Sequence, residues 1–172
     1  KTLRLIKKTS KEAPKKSDLI TGFIAKSIKK FDSDEIARSH HFTDLIGYFN
    51  VLSSLTRRMV IQAYNYFDNN HKLLGIEQVS EIKKVSESAS ALLNVIGNTI
   101  SAKEYDIQDI ELRFAELKDL MNGYKSAQTQ RMIAGSSSSF QNLLYLSQFD
   151  YYNRIVTNSM NLTASMKQFF LN

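Results

Sequence analysis

A single run of helical apolar spacing, from Asp32 to Lys72, constrains the fold of this chain more than any other feature. The run contains no Pro and one Gly, Gly47. This spacing predicts one long helix that buries a continuous stripe. A helix of this length needs partners to be stable in water, so the rest of the chain must cover it. Its apolar residues follow steps of three and four: Phe42, Leu45, Ile46, Phe49, Leu52, Leu55, Met59, Val60, Ala63, Tyr66 and Phe67.

Three later stretches show the same kind of spacing and predict three more long helices. They run from about Glu77 to Ala102, from Asp106 and Asp109 to about Ala134, and from about Ser138 to Phe170. Gly135 is a fitting residue just past a helix end, and Ser138 with Gln141 has the spacing of a capping box. Their inward residues are predicted as Val79, Ile82, Val85, Ala89, Leu92, Leu93, Ile96 and Ile100, then Ile107, Ile110, Phe114, Leu117, Met121 and Tyr124, then Phe140, Leu144, Phe149, Tyr152, Ile155, Val156, Met160 and Met166.

The N-terminal part is predicted to hold a shorter helical segment. Pro14 predicts a break at Ala13, and Ser17 is the expected cap of a helix that reaches about Lys30. Asp32 and Glu35 also have capping-box spacing, but the sequence leaves open whether this helix continues into the long one. The expected apolar face of the segment is Leu19, Ile20, Phe23, Ile24 and Ile28.

Together these patterns predict an all-α fold, an elongated antiparallel bundle of four long helices plus an N-terminal helical segment. Residues 1–16 are expected to form a basic N-terminal segment, and residues 17–172 a single helical-bundle domain. No window approaches the 18 or so apolar residues of a membrane span, and no signal peptide is recognisable. The absence of Cys excludes a disulfide framework and a thiolate metal site. Because the chain begins at Lys1, we interpret it as a piece of something longer or as a processed chain.

The positive charge is concentrated near the N-terminus. Residues 1–30 hold ten basic and two acidic residues, a net charge of +8, whereas the whole chain carries +6 and the other 142 residues therefore −2. This segment could be a solvated arm, or could lie on the cytoplasmic surface of a bilayer. Contact with nucleic acid is the least favoured alternative, because aromatic residues are sparse there and no nucleic-acid-binding motif is present.

Few residues show a pattern that carries chemistry. No nucleophile, base and acid converge by sequence, so we expect no enzymatic activity, and no cofactor is predicted. His40 and Asp44 are four residues apart on one helical face and are a weak candidate for a metal site. Their ordinary alternative is a pair on a helix surface. Six tyrosines are interpreted as aromatic packing with their hydroxyls at the edge of the core: Tyr48, Tyr64, Tyr66, Tyr145, Tyr151 and Tyr152. At least one of Arg57 and Arg58 is expected to be exposed.

The polar cluster Asp68, Asn69, Asn70, His71 and Lys72 follows the long apolar stripe directly. One interpretation is a helix C-terminus and turn, since Asn tolerates the left-handed conformation and His or Lys complements the negative helix end. The other is a contact surface for a partner at one end of the bundle.

This cluster also carries a resemblance to a known family. The run Tyr66-Phe67-Asp68-Asn69-Asn70-His71-Lys72-Leu73-Leu74, preceded by His40-His41-Phe42 and a long apolar helix, resembles the C-terminal cytoplasmic domain of Bacteroidetes inorganic phosphate transporters of the PiT permease type. The resemblance extends over about residues 15–170 and includes Glu77-Gln78-Val79 and Asn142-Leu143-Leu144-Tyr145-Leu146. That domain is similar to PhoU, an all-α bundle. Here Ser136–Ser139 replace an expected Thr-Arg-Asn, and the paired acidic clusters with which PhoU proteins bind metal are missing.

The resemblance implies a non-catalytic regulatory domain that modulates phosphate transport or couples it to phosphate status. Its expected partner is the transmembrane domain of the same transporter at the cytoplasmic face of the inner membrane, with Lys1–Lys30 near the membrane surface. No nucleic acid is expected, and a homo-oligomer is left open. The alternative function is a free-standing helical sensor or adaptor that binds a small ligand or a protein partner.

Overall fold

The computed structural model describes residues 2–29, 33–102 and 107–171, and all regular structure in these ranges is helical. The all-α prediction is therefore confirmed. Among the described residues, the elements are α1 (Thr2–Thr9), α2 (Glu12–Ile28), α3 (Ser33–Asp68), α4 (Ile76–Ala102), α5 (Gln108–Ile133) and α6 (Ser139–Leu171). The four long helices have 26 to 36 residues each, and their bounds fall within a few residues of those predicted.

The two predicted signals around the α5–α6 link are confirmed. Gly135 has φ +65°, and the N–H groups of Gly135 and Ser136 donate to the carbonyls of Met132 and Arg131 at 3.1 and 3.0 Å. This is the Schellman pattern, which satisfies carbonyls that a helix end leaves free. The Ser138 N–H donates to Gln141 Oε1 at 2.8 Å, and the Gln141 N–H donates to Ser138 Oγ at 3.3 Å, so the capping box starts α6. Asp32 of the other predicted capping pair and Asp106 lie outside the described residues, as does the side chain of Glu35.

The predicted break at Ala13 and the predicted cap at Ser17 are wrong. Helix α2 begins at Glu12 and contains Pro14 in its first turn, where a missing N–H removes no helical hydrogen bond. Ser17 lies inside α2, is 4% exposed, and donates from Oγ to Asn50 Oδ1 of α3 at 2.8 Å. The division between residues 16 and 17 thus falls within one helix, and as a domain boundary it stays a prediction.

Helices α4, α5 and α6 pack against one another around the main core. Because α5 runs antiparallel to both of the others, Gln78, Gln128 and Asn142 meet at one end of this unit. The ten core residues are Val85, Ala89, Leu92, Ile96, Ile110, Leu117, Met121, Tyr145, Phe149 and Val156.

Helix α3 packs along α6, and α1 and α2 pack on α3. Because α2 lies against α3, the two helices double back on each other and are not one continuous helix. Within the described ranges, α3 makes no close backbone contact with α4, so the four long helices do not close into a ring. A groove opens between α3 and α4 instead, with a volume of about 200 Å³ and α6 at its base.

Among the described residues, two that were predicted to face inward and two of the expected apolar face of α2 are exposed. Val79 is 53% exposed because Gln78, its neighbour, takes the buried position in the first turn of α4. Phe140 is 56% exposed because it lies at the start of α6, before that helix reaches the core. Leu19 and Phe23 are exposed on the side of α2 that faces away from α3. Arg57 and Arg58 are both exposed, as expected for at least one of them.

Candidate functional site

The polar cluster after α3 forms a helix terminus with defined geometry. Asn70 has φ +54°, in the left-handed region, and its N–H donates to the Phe67 carbonyl at 3.2 Å. The N–H of His71 donates to the Tyr66 carbonyl at 3.4 Å. These two bonds repeat the Schellman pattern at the end of α3. Asn is the residue after Gly that most readily adopts this backbone conformation, so the sequence Asn69-Asn70 ends the helix here.

Two side chains of this terminus lie against the bundle. The His71 ring stacks on Phe140 with centroids 4.3 Å apart, and its centroid is also 5.1 Å from that of Tyr66. The Tyr66 hydroxyl donates to the carbonyl of Lys72, and burial raises the pKa of this hydroxyl. The contact between His71 and Tyr66 corresponds to the side-chain contact that accompanies a Schellman motif. This arrangement fixes the turn to the start of α6.

The other candidate contact residues point outward. Asp68, Asn69, Asn70 and Lys72 are exposed, whereas His71 is half-buried. Leu73 and Ile76, which follow them, are 70% and 91% exposed. The turn therefore holds polar groups and two large apolar side chains on one ordered surface. Whether a partner contacts them is still a prediction.

Helices α3 and α5 end, and helices α4 and α6 begin, in one region of the bundle. We call this region, formed by residues 68–78 and 128–142, the turn end. A groove of about 340 Å³ lies there, with the Lys72 side of the turn as one wall. Gln78 Oε1 accepts the Gly75 N–H at 2.9 Å, and Gln141 Nε2 donates to the Leu73 carbonyl at 2.5 Å. These two buried amides hold the loop between α3 and α4 in place. The groove is lined by Lys72, Leu73, Gly75, Ile76, Glu77, Gln78, Arg131, Ser136, Ser137 and Gln141.

Below this groove, a buried amide network connects α4, α5 and the start of α6. Gln128 is fully buried, and its Oε1 accepts from Gln78 Nε2 at 3.0 Å and from Arg131 Nε at 2.8 Å. Its Nε2 donates to Asn142 Oδ1 at 2.5 Å and to Ser137 Oγ at 3.2 Å. Since both ends of the buried amide are satisfied, the network stabilises one arrangement of the three helices.

An ion pair lies beside the amide network. The guanidinium of Arg131 donates to both carboxylate oxygens of Glu81, at 3.1 and 2.6 Å, and the side chains are 18% and 14% exposed. The hydroxyl of Tyr145 donates to the same carboxylate, and its ring lies 5.4 Å from the guanidinium carbon. Burial, and next the Glu81 carboxylate, raise the pKa of Tyr145, so the phenol stays a donor. The hydrogen bond to Glu81 raises the pKa of Arg131.

This network was not predicted from the sequence, although a signal was present. Glu81 lies four residues before Val85, and Gln128 lies seven residues after Met121, so both continue buried stripes. A polar residue at a stripe position must find a buried partner. Tyr145 was recognised as a packing residue, and it is fully buried against Phe149, but its hydroxyl partner was not predicted.

The weak metal candidate is not tested. Asp44 is exposed, and the side chain of His40 lies outside the described residues. Among the residues that the structure does describe, no three His, Cys, Asp or Glu side chains group as metal ligands.

The groove between α3 and α4 has a different character. Its walls are apolar, and Gln148 at its base is 5% exposed with no hydrogen-bond partner for Nε2 in the described part of the chain. Such a groove could accommodate a small apolar group carrying one acceptor oxygen.

The fold and the turn end define this protein as an all-helical bundle domain. No protein-family model, no curated protein and no solved structure matches the chain. In the described ranges, none of the helices combines the length and the apolar character needed to cross a membrane.

Proposed function

We propose that this chain is a non-catalytic regulatory domain of a membrane phosphate transporter. It modulates transport, or couples it to phosphate status, by docking its turn end against the transmembrane part of that transporter. The observation that supports the proposal is that one run of residues carries the family resemblance and also forms an ordered turn. The run Tyr66–Leu74, which carries the resemblance to the PiT permease domain, also builds the ordered turn between α3 and α4.

The turn end has the properties of a preorganised contact surface. Its backbone is held by two Schellman bonds, by the stacked ring of His71 and by the amide of Gln141. A partner that binds Asp68 or Lys72 therefore loses little free energy to ordering of the turn. Leu73 and Ile76 add apolar area that a partner can remove from water.

The proposal places the domain at the cytoplasmic face of the inner membrane, as a PhoU-like bundle attached to the permease. Its contact partner there is the transmembrane domain of the same chain. The transport residues themselves belong to the membrane-embedded part, so no residue of this domain is assigned a transport role.

The test uses the intact transporter and two exposed charges of the turn. We expect Asp68→Ala with Lys72→Ala to alter phosphate uptake, or its response to external phosphate. Two lost polar contacts of about 1 kcal/mol each shift a docking equilibrium roughly tenfold or more. The helix terminus survives, because the Lys72 carbonyl that accepts from Tyr66 is retained. Radiolabelled phosphate uptake is measured together with the amount of protein in the membrane.

The matched control is Lys83→Ala with Glu87→Ala, an exposed ion pair on α4 away from the turn. This pair is expected to leave uptake and its response unchanged. Normal uptake and response in the Asp68/Lys72 variant would reduce the turn end to a helix terminus. A parent chain without permease-like hydrophobic spans would also refute the proposal.

A further inference from the structure

The outer face of α2 exposes two large apolar side chains that nothing in the described structure covers. Leu19 is 64% exposed and Phe23 is 71% exposed. They are four residues apart, so they lie side by side on one face of the helix. The opposite side of α2 packs on α3, where Ser17 is buried. A partner can therefore reach Leu19 and Phe23 without disturbing the bundle.

Lysines flank this apolar pair at both ends. Lys15 and Lys16 precede Leu19 by four and three residues, and Lys26 follows Phe23 by three, so helical spacing brings all three to the same side. All three are exposed, and none forms an ion pair with a described residue. The stretch is about 16 Å long at the rise of an α-helix.

Helix α1 adds charge of the same sign next to α2. Arg4 and Lys8 are exposed, as is Leu5 at 64%. Lys7 instead lies over the ring of Tyr64 of α3, 3.7 Å from its centroid, and so fixes α1 to the bundle. The described basic residues of α1 and α2 thus belong to a docked helical pair. The first 30 positions contain two acidic residues, Glu12 and Asp18, to oppose their charge.

A surface of this composition matches one kind of partner best. Apolar and aromatic side chains flanked by lysines suit the boundary of an anionic bilayer. There the apolar side chains enter the headgroup region, and each Lys stem carries its ammonium group to the lipid charge. Nucleic acid fits less well, because one Arg and one exposed Phe offer few groups for phosphate forks or base stacking.

We propose that the outer face of α2 binds an anionic phospholipid bilayer through Leu19 and Phe23, with Lys15, Lys16 and Lys26 attracting the headgroups. This inference deepens the proposed function and rests on it for placing the domain beside a membrane. It also assigns the orientation of the bundle, because α2 must face the lipid.

The test is cosedimentation of the 172-residue chain with vesicles. We expect binding to mixed phosphatidylcholine–phosphatidylglycerol vesicles and not to pure phosphatidylcholine. Raising NaCl from about 0.1 M to about 1 M should release the protein, because the Debye length falls from about 10 Å to about 3 Å. Equal binding to neutral vesicles, or binding that salt does not weaken, would overturn the proposal.

Surface variants locate the contact. Leu19→Ser with Phe23→Ser should weaken vesicle binding by about tenfold or more, because binding then removes less apolar surface from water. Lys15→Glu with Lys16→Glu should abolish it. The controls are Leu112→Ser, which alters a residue 61% exposed on α5, and Lys83→Glu with Lys84→Glu, an adjacent exposed lysine pair on α4. Both controls should bind as the parent chain does.

The outcomes separate this inference from its rivals. If the controls lose as much binding as the α2 variants, general charge is responsible and the α2 face is not the site. If a DNA duplex displaces the chain from vesicles, and the Leu19/Phe23 variant binds vesicles as tightly as the parent chain does, the surface is a nucleic-acid site. The vesicle test contains no transporter, so its failure leaves the docking proposal standing. Failure of the uptake test leaves the lipid-binding result unchanged.

Discussion

At the scale of single residues, Arg131 connects the ion pair of the turn end to its buried amide network. It donates to Glu81 and to Gln128, and the pair with Glu81 is largely screened from water. Arg131→Met should lower the free energy of unfolding by about 2–4 kcal/mol, because Glu81 then keeps its charge with Tyr145 as its one remaining donor among the described residues. Urea denaturation followed by circular dichroism measures this loss.

Arg113 provides the matched control on the same helix. Its partner Asp109 is 2.9 Å away, but the two side chains are 46% and 57% exposed. Arg113→Met should therefore cost less than about 1 kcal/mol. Equal losses for the two variants would show that the Arg131 pair contributes no more than a surface ion pair.

The sequence predicted part of the candidate site at this scale. It indicated that Asp68–Lys72 ends a helix, because Asn70 readily adopts a left-handed backbone and polar residues follow the last apolar step. It could not show that His71 stacks on Phe140, since those residues are far apart in the chain and meet only when α3 lies along α6. Partners across helices depend on packing, which periodicity does not encode.

At the scale of elements, the end of α5 shows how one residue sets a helix boundary. Gly135 has φ +65°, where a Cβ is unfavourable, whereas Gly123 lies inside α5 with open space around it. Gly135→Ala should destabilise the protein by about 1 kcal/mol, and Gly123→Ala should stabilise it by about 0.5–1 kcal/mol. Thermal unfolding of the two variants should shift in opposite directions. Two shifts of the same sign would mean that backbone conformation does not set the cost at Gly135.

Helix bounds were predictable where a local signal was strong. Ser138 with Gln141 and Gly135 lie where their chemistry requires, so the bounds of α5 and α6 followed from sequence. The predicted start of α2 was wrong because Pro14 was interpreted as a break, although the first turn of a helix tolerates Pro. Spacing also predicted an apolar face of α2 that includes Leu19 and Phe23, and both of these residues are exposed. Spacing identifies an apolar stripe but not what covers it.

At the scale of the whole molecule, the order of packing was not predictable from the chain. Short links favoured antiparallel neighbours, and α4, α5 and α6 agree with that. Yet α3 packs on α6, far away in sequence, and within the described ranges it makes no close backbone contact with α4. The groove containing Gln148 results from this arrangement. Apolar stripes on α3, α4 and α6 could pair in more than one way. The pairing that forms depends on side-chain shape across the whole core.

This arrangement predicts unequal stability across the molecule. Helices α1 and α2 pack only on each other and on α3 among the described residues, whereas the centres of α4 and α6 surround fully buried Val85 and Phe149. Opening α1 and α2 exposes less apolar surface, so their amides should exchange with solvent faster than those of α4–α6. Amide hydrogen exchange read by mass spectrometry should show this order.

Anionic vesicles should slow exchange in α2 and leave the core amides unchanged, because the lipid contact adds stability only to the outer helices. Uniform protection along the chain, with or without vesicles, would contradict a separately opening α1–α2 pair.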